Sequence, residues 1–464
     1  MTRTLTPALV AWMACAASNL RAQTGPAAVP AAAAAAHAAA LQSRLRYETY
    51  TLPNDLRVIL SEDHSTPIVT VDVWYNVGSR NERPGRSGFA HLFEHMMFQG
   101  TAHVGKGEHF QLIERAGGAV NASTSEDRTN YYQTLPANRL NLGLWLEADR
   151  MRSLAVTPEN FHNQREAVKE ERRLRVDNQP YQPAILEGLT LLYDSATCFA
   201  YAHSVIGSMA DLDSAKVEEV QAFFAQYYVP NNATLTVVGD FVAAEARELI
   251  ARYFGEIPRG AAIPPVSCAP GFGSGTRRHE WRDPLATLPA VIIAYRIPPH
   301  DDPDTPALAL LGTILGGGES SRLNLSLVRR AQSALSAFAQ SASRRGPGFF
   351  AAIAVANQGV SADTLEAQLA AQVARMRDSL VTEEELAKAR NDFRAGNIFG
   401  LQTTMAVAER LQHYAHDHPS IDDMYTDLDR YMTVTAADLQ RAARRYLVPE
   451  NSVAIVVLPR GSGQ

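Results

Sequence analysis

The chain of 464 residues repeats itself, and that repeat limits its possible folds more than any other feature. Tyr227-Tyr228-Val229-Pro230-Asn231-Asn232, followed by the strand-like run Ala-Thr-Leu-Thr-Val-Val, returns 219 positions later as Tyr446-Leu447-Val448-Pro449-Glu450-Asn451, followed by Ser-Val-Ala-Ile-Val-Val. Earlier in each copy, Pro67-Ile68-Val69-Thr70-Val71-Asp72-Val73-Trp74-Tyr75 resembles Pro289-Ala290-Val291-Ile292-Ile293-Ala294-Tyr295 at an offset of 222. Both runs suit a sheet. Two matches at nearly one offset point to a duplicated unit, and the length already exceeds what one hydrophobic core usually organises. Within each copy strands alternate with long helical stretches, Thr157 to Arg175 and Thr382 to Phe399, which places the chain among α+β or α/β proteins. The first of these has a clear start, with Thr157 as N-cap, Pro158 at the first helical position and Glu159 in the first turn.

Punctuation in the sequence sets the expected domain limits. Residues 1–22 read as a secretory signal peptide: Arg3, an apolar run from Leu5 to Ala17, then Leu20-Arg21-Ala22 before a cut. That run is too short to span a bilayer, and no later segment has the roughly 20 uninterrupted apolar residues that spanning requires. A periplasmic or secreted location is therefore expected. Cys15 raises a lipid anchor as a minor alternative, against which Trp12-Met13-Ala14 is a poor match. Residues 23–45 form an Ala-rich flexible leader, 46–257 a first domain, 258–280 a Pro- and Gly-rich linker, and 281–464 a second domain. Without the signal, Cys198 and Cys268 remain, either as one disulfide or as two thiols. The formal charge of -6 offers no basic field for a phosphate backbone, so nucleic acid is excluded as a partner.

The chemistry is concentrated in Gly88-Phe89-Ala90-His91-Leu92-Phe93-Glu94-His95-Met96-Met97-Phe98. On a helix, His91 and His95 at i and i+4 project from one face and can grip one ion. Glu94 then lies beside the metal, able to reach a bound water as general base, in the order H-x-x-E-H. Catalytic zinc takes three protein ligands, so a further N or O donor is required. The helix from Thr157 offers Glu166, Glu170 and Glu171. Helical geometry aligns Glu171 with the apolar stripe of Phe161 and Val168 and sets Glu166 off it, while Glu170 stays open.

The stretches W-Y-N-V-G-S-R-N-E-R-P-G-R-S-G-F-A-H-L-F-E-H-M-M-F-Q-G-T, G-G-A-V-N-A-S-T-S-E-D-R-T-N-Y-Y, R-E-A-V-K-E-E-R-R and Y-Y-V-P-N-N-A-T-L-T-V-V-G-D resemble the M16 (pitrilysin) metallopeptidase family. The resemblance covers nearly all of the mature chain and is of the single-length, processing-peptidase type. It implies an α+β fold of two homologous α/β-sandwich domains of the LuxS/MPP-like metallohydrolase type, each a mainly antiparallel sheet packed with helices. It implies one Zn2+ per chain, with the third ligand about 76 residues after His95, which falls on Glu171. A family glutamate seven residues before that ligand corresponds here to Gln164.

Gly117 to Ser125 and Thr129 to Leu135 read as a hairpin. The resemblance makes its first strand, with Asn121, Ala122, Ser123 and Thr124, a sheet edge that binds an extended peptide through main-chain hydrogen bonds. In the second copy, a shift of 222 carries His91 and His95 onto Thr313 and Gly317, so the metal ligands are lost. The Gly316 to Leu323 loop lacks the Lys-Ser/Thr ending of a phosphate-binding loop. Second halves of the family carry an Arg and a Tyr that contact substrate. Arg329 matches the Arg, but the Tyr position falls on Leu335 or Ser336. The expectation is a zinc endopeptidase acting on peptides or unfolded segments, completed by a paralogous subunit in a heterodimer or by a homodimer. The alternative is a non-catalytic, structural member of the family.

Overall fold

A computed structural model of the chain describes residue 42 and residues 45–269 and 277–460. The expected signal peptide, Cys15 and nearly all of the expected leader lie outside the described residues. Two sheets organise the rest. The first contains β1 (Glu48–Thr51), β2 (Arg57–Glu62), β3 (Ile68–Tyr75), β4 (Ala119–Thr124), β5 (Thr129–Pro136) and β6 (Ala233–Gly239), in the order β1-β2-β6-β3-β5-β4. The second contains β7 (Arg277–Asp283), β8 (Ala290–Ile297), β9 (Ala334–Ala342), β10 (Gly348–Ala356) and β11 (Ser452–Pro459), in the order β7-β11-β8-β10-β9. Without β1 the two orders coincide. Each sheet is antiparallel except for one pair in the same place, β2 with β6 and β7 with β11. The repeated sequence runs are β3 and β8 at the sheet centres and β6 and β11 beside them. The architecture is thus the expected α+β pair of sheet-and-helix sandwiches.

Four helices build the site and join the two copies, α1 (Phe89–Met96), α2 (Pro158–Arg172), α3 (Gln182–Thr190) and α5 (Thr404–Asp417), and α4 (Thr305–Gly316) is the second copy's counterpart of α1. The Thr157 hydroxyl caps α2 by accepting from the Asn160 amide N–H, and Pro158 occupies the first turn without cost because its missing donor is unneeded there. Strands β3 and β8 are buried almost throughout, so both faces of each sheet are covered. Along β3, Val69, Val71, Val73 and Tyr75 face a core shared with α1 and α2. The alternate residues face the other half of the chain: Thr70 bonds to Thr404 at 2.7 Å, and the Trp74 ring stacks on His416 with centroids 5.6 Å apart.

The covering is reciprocal. Helix α5 of the second copy closes the outer face of the first sheet, with Ala408, Leu411 and Tyr414 packed against Ile59 and Val238. Helix α3 of the first copy closes the outer face of the second sheet, with Ala184 in one core with Ile292, Ala294 and Ile455. These two helices begin 222 positions apart, at 182 and 404, so the duplicated unit donates the same element to its twin. Gly188 makes the approach possible, since a Cβ there would run into the Ile455 side chain. Cys198 and Cys268 pair as a disulfide, joining the segment after α3 to the connection between the copies.

Candidate metal centre

Helix α1 has no side-chain cap. It starts at Gly88, whose left-handed backbone (φ 90°) packs against Gly207 (φ 76°), an approach that a Cβ on either residue would block. The orphan amides are served from upstream instead: the buried Glu82 carboxylate accepts from the Gly88 N–H at 2.8 Å and the Ala90 N–H at 2.7 Å. The apolar side of α1 drives Leu92, Phe93 and Met96 into the core. Phe93 lies against Tyr228 (centroids 4.7 Å), a residue of the repeated Tyr-Val-Pro-Asn signature. The opposite side carries His91 and His95, with ring centroids 4.9 Å apart.

Helix α2 crosses next to them. His95 Nε2 is 3.1 Å and His91 Nε2 3.6 Å from Glu171 Oε2. Among the described residues, these three form the one group of His, Cys, Asp or Glu side chains whose ligand atoms all lie within 4.8 Å of one another. The alternatives point elsewhere. Glu170 is exposed and pairs with Arg173, and Glu166 pairs with Arg165 and Lys169. Among the described residues, no hydrogen bond joins Gln164 to the histidines or to Glu171. Two imidazole nitrogens and one carboxylate oxygen are the donor set of many catalytic zinc sites. Tetrahedral bonds of roughly 2.0–2.1 Å put ligand atoms about 3.3 Å apart, a spacing that the two measured distances bracket. The residues present therefore fit zinc.

Protonation states agree. Burial, followed by the neighbouring His95, pushes the His91 imidazole down to about 4. The hydrogen bond from His95 holds the Glu171 carboxyl below its ordinary value. The arrangement thus favours a neutral donor at His91 and an ionised one at Glu171. Burial raises the Glu94 carboxyl, whose Oε2 accepts the Thr124 hydroxyl at 2.6 Å.

Thr124 ends β4, which pairs with β5 alone and forms the edge of the first sheet. Along it, Ala122 and Thr124 face the α1 side. Ser123 bonds to Asn130 at 2.7 Å, and Asn121 turns its side-chain oxygen back to the Ala122 N–H at 2.9 Å. The hairpin and its edge strand are therefore present beside Glu94. Arg329 lies on the short π-helix Asn324–Arg330, where it pairs with Glu319 at 2.5 Å rather than with β4 or the histidines. Leu335 is exposed on β9.

Sequence reasoning missed two neighbours of the site, Glu82 and Arg175, and named Thr124 for its place on the strand edge without its bond to Glu94. Glu82 reads as an ordinary charge in a loop. Arg175, which holds Glu171 Oε1 at 2.9 Å while Oε2 faces both imidazoles, carries only the weak signal of an i, i+4 pair.

A family description for "Insulinase (Peptidase family M16)" matches residues 57–191, and one for "Peptidase M16 inactive domain" matches residues 214–393. The chain is 31% identical over 418 residues to "Zinc protease PqqE" of Helicobacter pylori, covering 89% of this chain and 93% of that one. It is 25% identical to a "Probable mitochondrial-processing peptidase subunit beta" of Arabidopsis thaliana, covering 88% and 78%. A solved protease from Helicobacter pylori superposes with a TM-score of 0.85 at 30% identity, over 89% of this chain and all of that one. Relatives named zinc proteases, the two family matches and the shared fold agree: the chain belongs to the M16 peptidase family.

Proposed function

We propose that the chain is a zinc endopeptidase that cleaves extended peptides or unfolded segments, with His91, His95 and Glu171 as metal ligands and Glu94 as general base. The observation that carries this reading is the convergence of the three donors within 4.8 Å beside an unpaired strand edge. Bound there, zinc supplies Lewis acidity and lowers the pKa of a water from about 15.7 to roughly 7. Glu94 Oε2 is engaged by Thr124, so Oε1 is the oxygen left to take a proton from the attacking water and return it to the leaving amine. The main-chain groups of β4 that face away from β5, between Asn121 and Thr124, hold the substrate main chain with little demand on its side chains, the Asn121 side chain giving up the Ala122 N–H that it occupies in the free chain.

The second copy contributes no ligand. With Leu335 and Ser336 where a Tyr donor is expected, the oxyanion loses a stabilisation of a kind worth about 2.7–4 kcal/mol in other enzymes. A paralogous subunit in a heterodimer supplies that donor. The Cys198–Cys268 disulfide supports an oxidising compartment, periplasmic or extracellular, and among the described residues no helix is long and apolar enough to cross a membrane.

Metal analysis with a quenched-peptide assay, with and without chelator, tests this reading against a non-catalytic role. The expected result is one zinc per chain and chelator-sensitive cleavage. Glu94→Gln should keep the zinc and abolish turnover; undiminished hydrolysis by that variant would sink the assignment. Full activity as a homodimer would refute the heterodimer, whereas weak activity restored by a metal-free sister subunit supports it.

A further inference from the structure

The tip of the β4–β5 hairpin, Ser125 to Arg128, meets the tip of the corresponding hairpin of the second copy, between β9 and β10. Arg344 Nη2 donates to Glu126 Oε1. The Arg345 N–H donates to Asp127 Oδ2 at 2.9 Å, and its guanidinium reaches Asn76 at the end of β3 and Asp417 of α5 (2.5 Å). Tyr201 completes the clasp, donating to Asp127 Oδ1 at 2.7 Å and accepting the Gly346 N–H at 2.7 Å. All of these side chains are largely shielded, Arg344 and Arg345 being only 14% and 12% exposed.

The clasp is one residue from the chemistry. Thr124, which donates to Glu94, directly precedes the turn, and the Ser125 N–H closes that turn onto the Arg128 carbonyl at 2.9 Å. The first copy holds the turn through the Ser79 and Arg80 N–H groups and, at Asp127, through the Tyr201 hydroxyl and the more distant Arg80 guanidinium. The Glu126 carboxylate has its cation from the second copy, Arg344. A shielded carboxylate that loses its cation turns towards water, because desolvation without a partner is costly.

Resting on the zinc-peptidase reading, we propose that the Arg344 side chain and the Arg345 backbone N–H are positioning groups. Through the hairpin tip they hold β4 and the Thr124 hydroxyl in register with Glu94, so the metal-free copy acts on the active site without touching substrate.

The test uses the full chain with zinc, together with its sister subunit if activity requires it. Arg344→Ala should keep its zinc and lower kcat/KM by about 10- to 100-fold, since small misplacements near the chemistry are that costly. Amide exchange at residues 119–124 should accelerate, and Arg344→Lys should restore part of both. Arg278→Ala, which removes a remote arginine paired with Glu280, Asp363 and Glu366, should change neither. A folded Arg344→Ala chain with wild-type exchange at 119–124 and wild-type kcat/KM would overturn the proposal. If that variant fails to fold, Glu126→Gln is read by the same two measurements and the same outcomes decide. An inactive wild-type chain would count against the peptidase reading alone, because the exchange comparison still decides whether the clasp holds β4.

Discussion

Glu171 shows how a single side chain can serve two partners. Its Oε2 faces both imidazoles, and Oε1 is tied to Arg175, whose guanidinium is itself well exposed. Replacing Glu171 by Gln leaves a neutral oxygen in place of an anionic donor, and the expected outcome is loss of stoichiometric zinc in equilibrium dialysis with the fold intact. Glu82 acts one step further back. Glu82→Ala strips two buried N–H groups of their acceptor, so the chain should lose about 1–3 kcal/mol of stability in denaturant titration. Two other histidines, His109 buried and His416 half-buried against Trp74, link stability to pH. Burial pushes His109 and His416 down to about 3, so both are neutral in the folded chain. An unfolded imidazole titrates near 6.5, so the unfolded state binds more protons between roughly pH 3 and 6.5. Stability from these residues is fully present above about pH 6.5 and is lost as pH falls towards 3. His416→Phe, which keeps a ring against Trp74, should flatten that acid limb in melts from pH 7 to 4.

Elements explain why one copy gathers two histidines and a glutamate and the other does not. In the first, α1 stands beside β4 with Glu94 against Thr124 and its histidines turned to Glu171 of α2. In the second, α4 occupies the related place, and Gly316, at the position related to Glu94 by the offset of 222, lies so close to β9 that a Cβ would run into the Ala339 backbone N. The cleft is therefore closed by packing as well as stripped of ligands. This could not be read from the loop Gly316 to Leu323, because glycines there also suit an exposed turn. The H-x-x-E-H pair was legible because a helix repeats every 3.6 residues, and β4 and β5 were legible as a hairpin from their alternation. The disulfide was not legible, since Cys198 and Cys268 are separated by 70 residues without any local signal. By the chain-entropy argument a loop of that length contributes about 4 kcal/mol. Cys198→Ser or reduction should lower the melting temperature measurably, and an unchanged melt would show that the exchanged helices alone secure the segment.

At the scale of the molecule, the two copies are joined by reciprocal donation of α3 and α5 rather than by a linker alone. A protease site placed after Pro265 and then cut should leave two fragments that co-elute under native conditions even after reduction, because α3 and α5 remain buried on each other's sheets. Separation of the fragments on reduction would mean that the disulfide and connection carry the assembly. The duplication, the alternation of strands and helices and the helix bearing His91, Glu94 and His95 followed from sequence alone, because each is written in local periodicity or in a repeated run. Family resemblance added Glu171 as the third donor. Tertiary structure decided the rest: how Glu171 is shared between the histidines and Arg175, which copy's helix covers which sheet, and how Arg344 and Arg345 reach the β4–β5 hairpin. Those outcomes depend on contacts between residues hundreds of positions apart, whose energies arise only when both partners are buried together and leave no periodic trace along the chain.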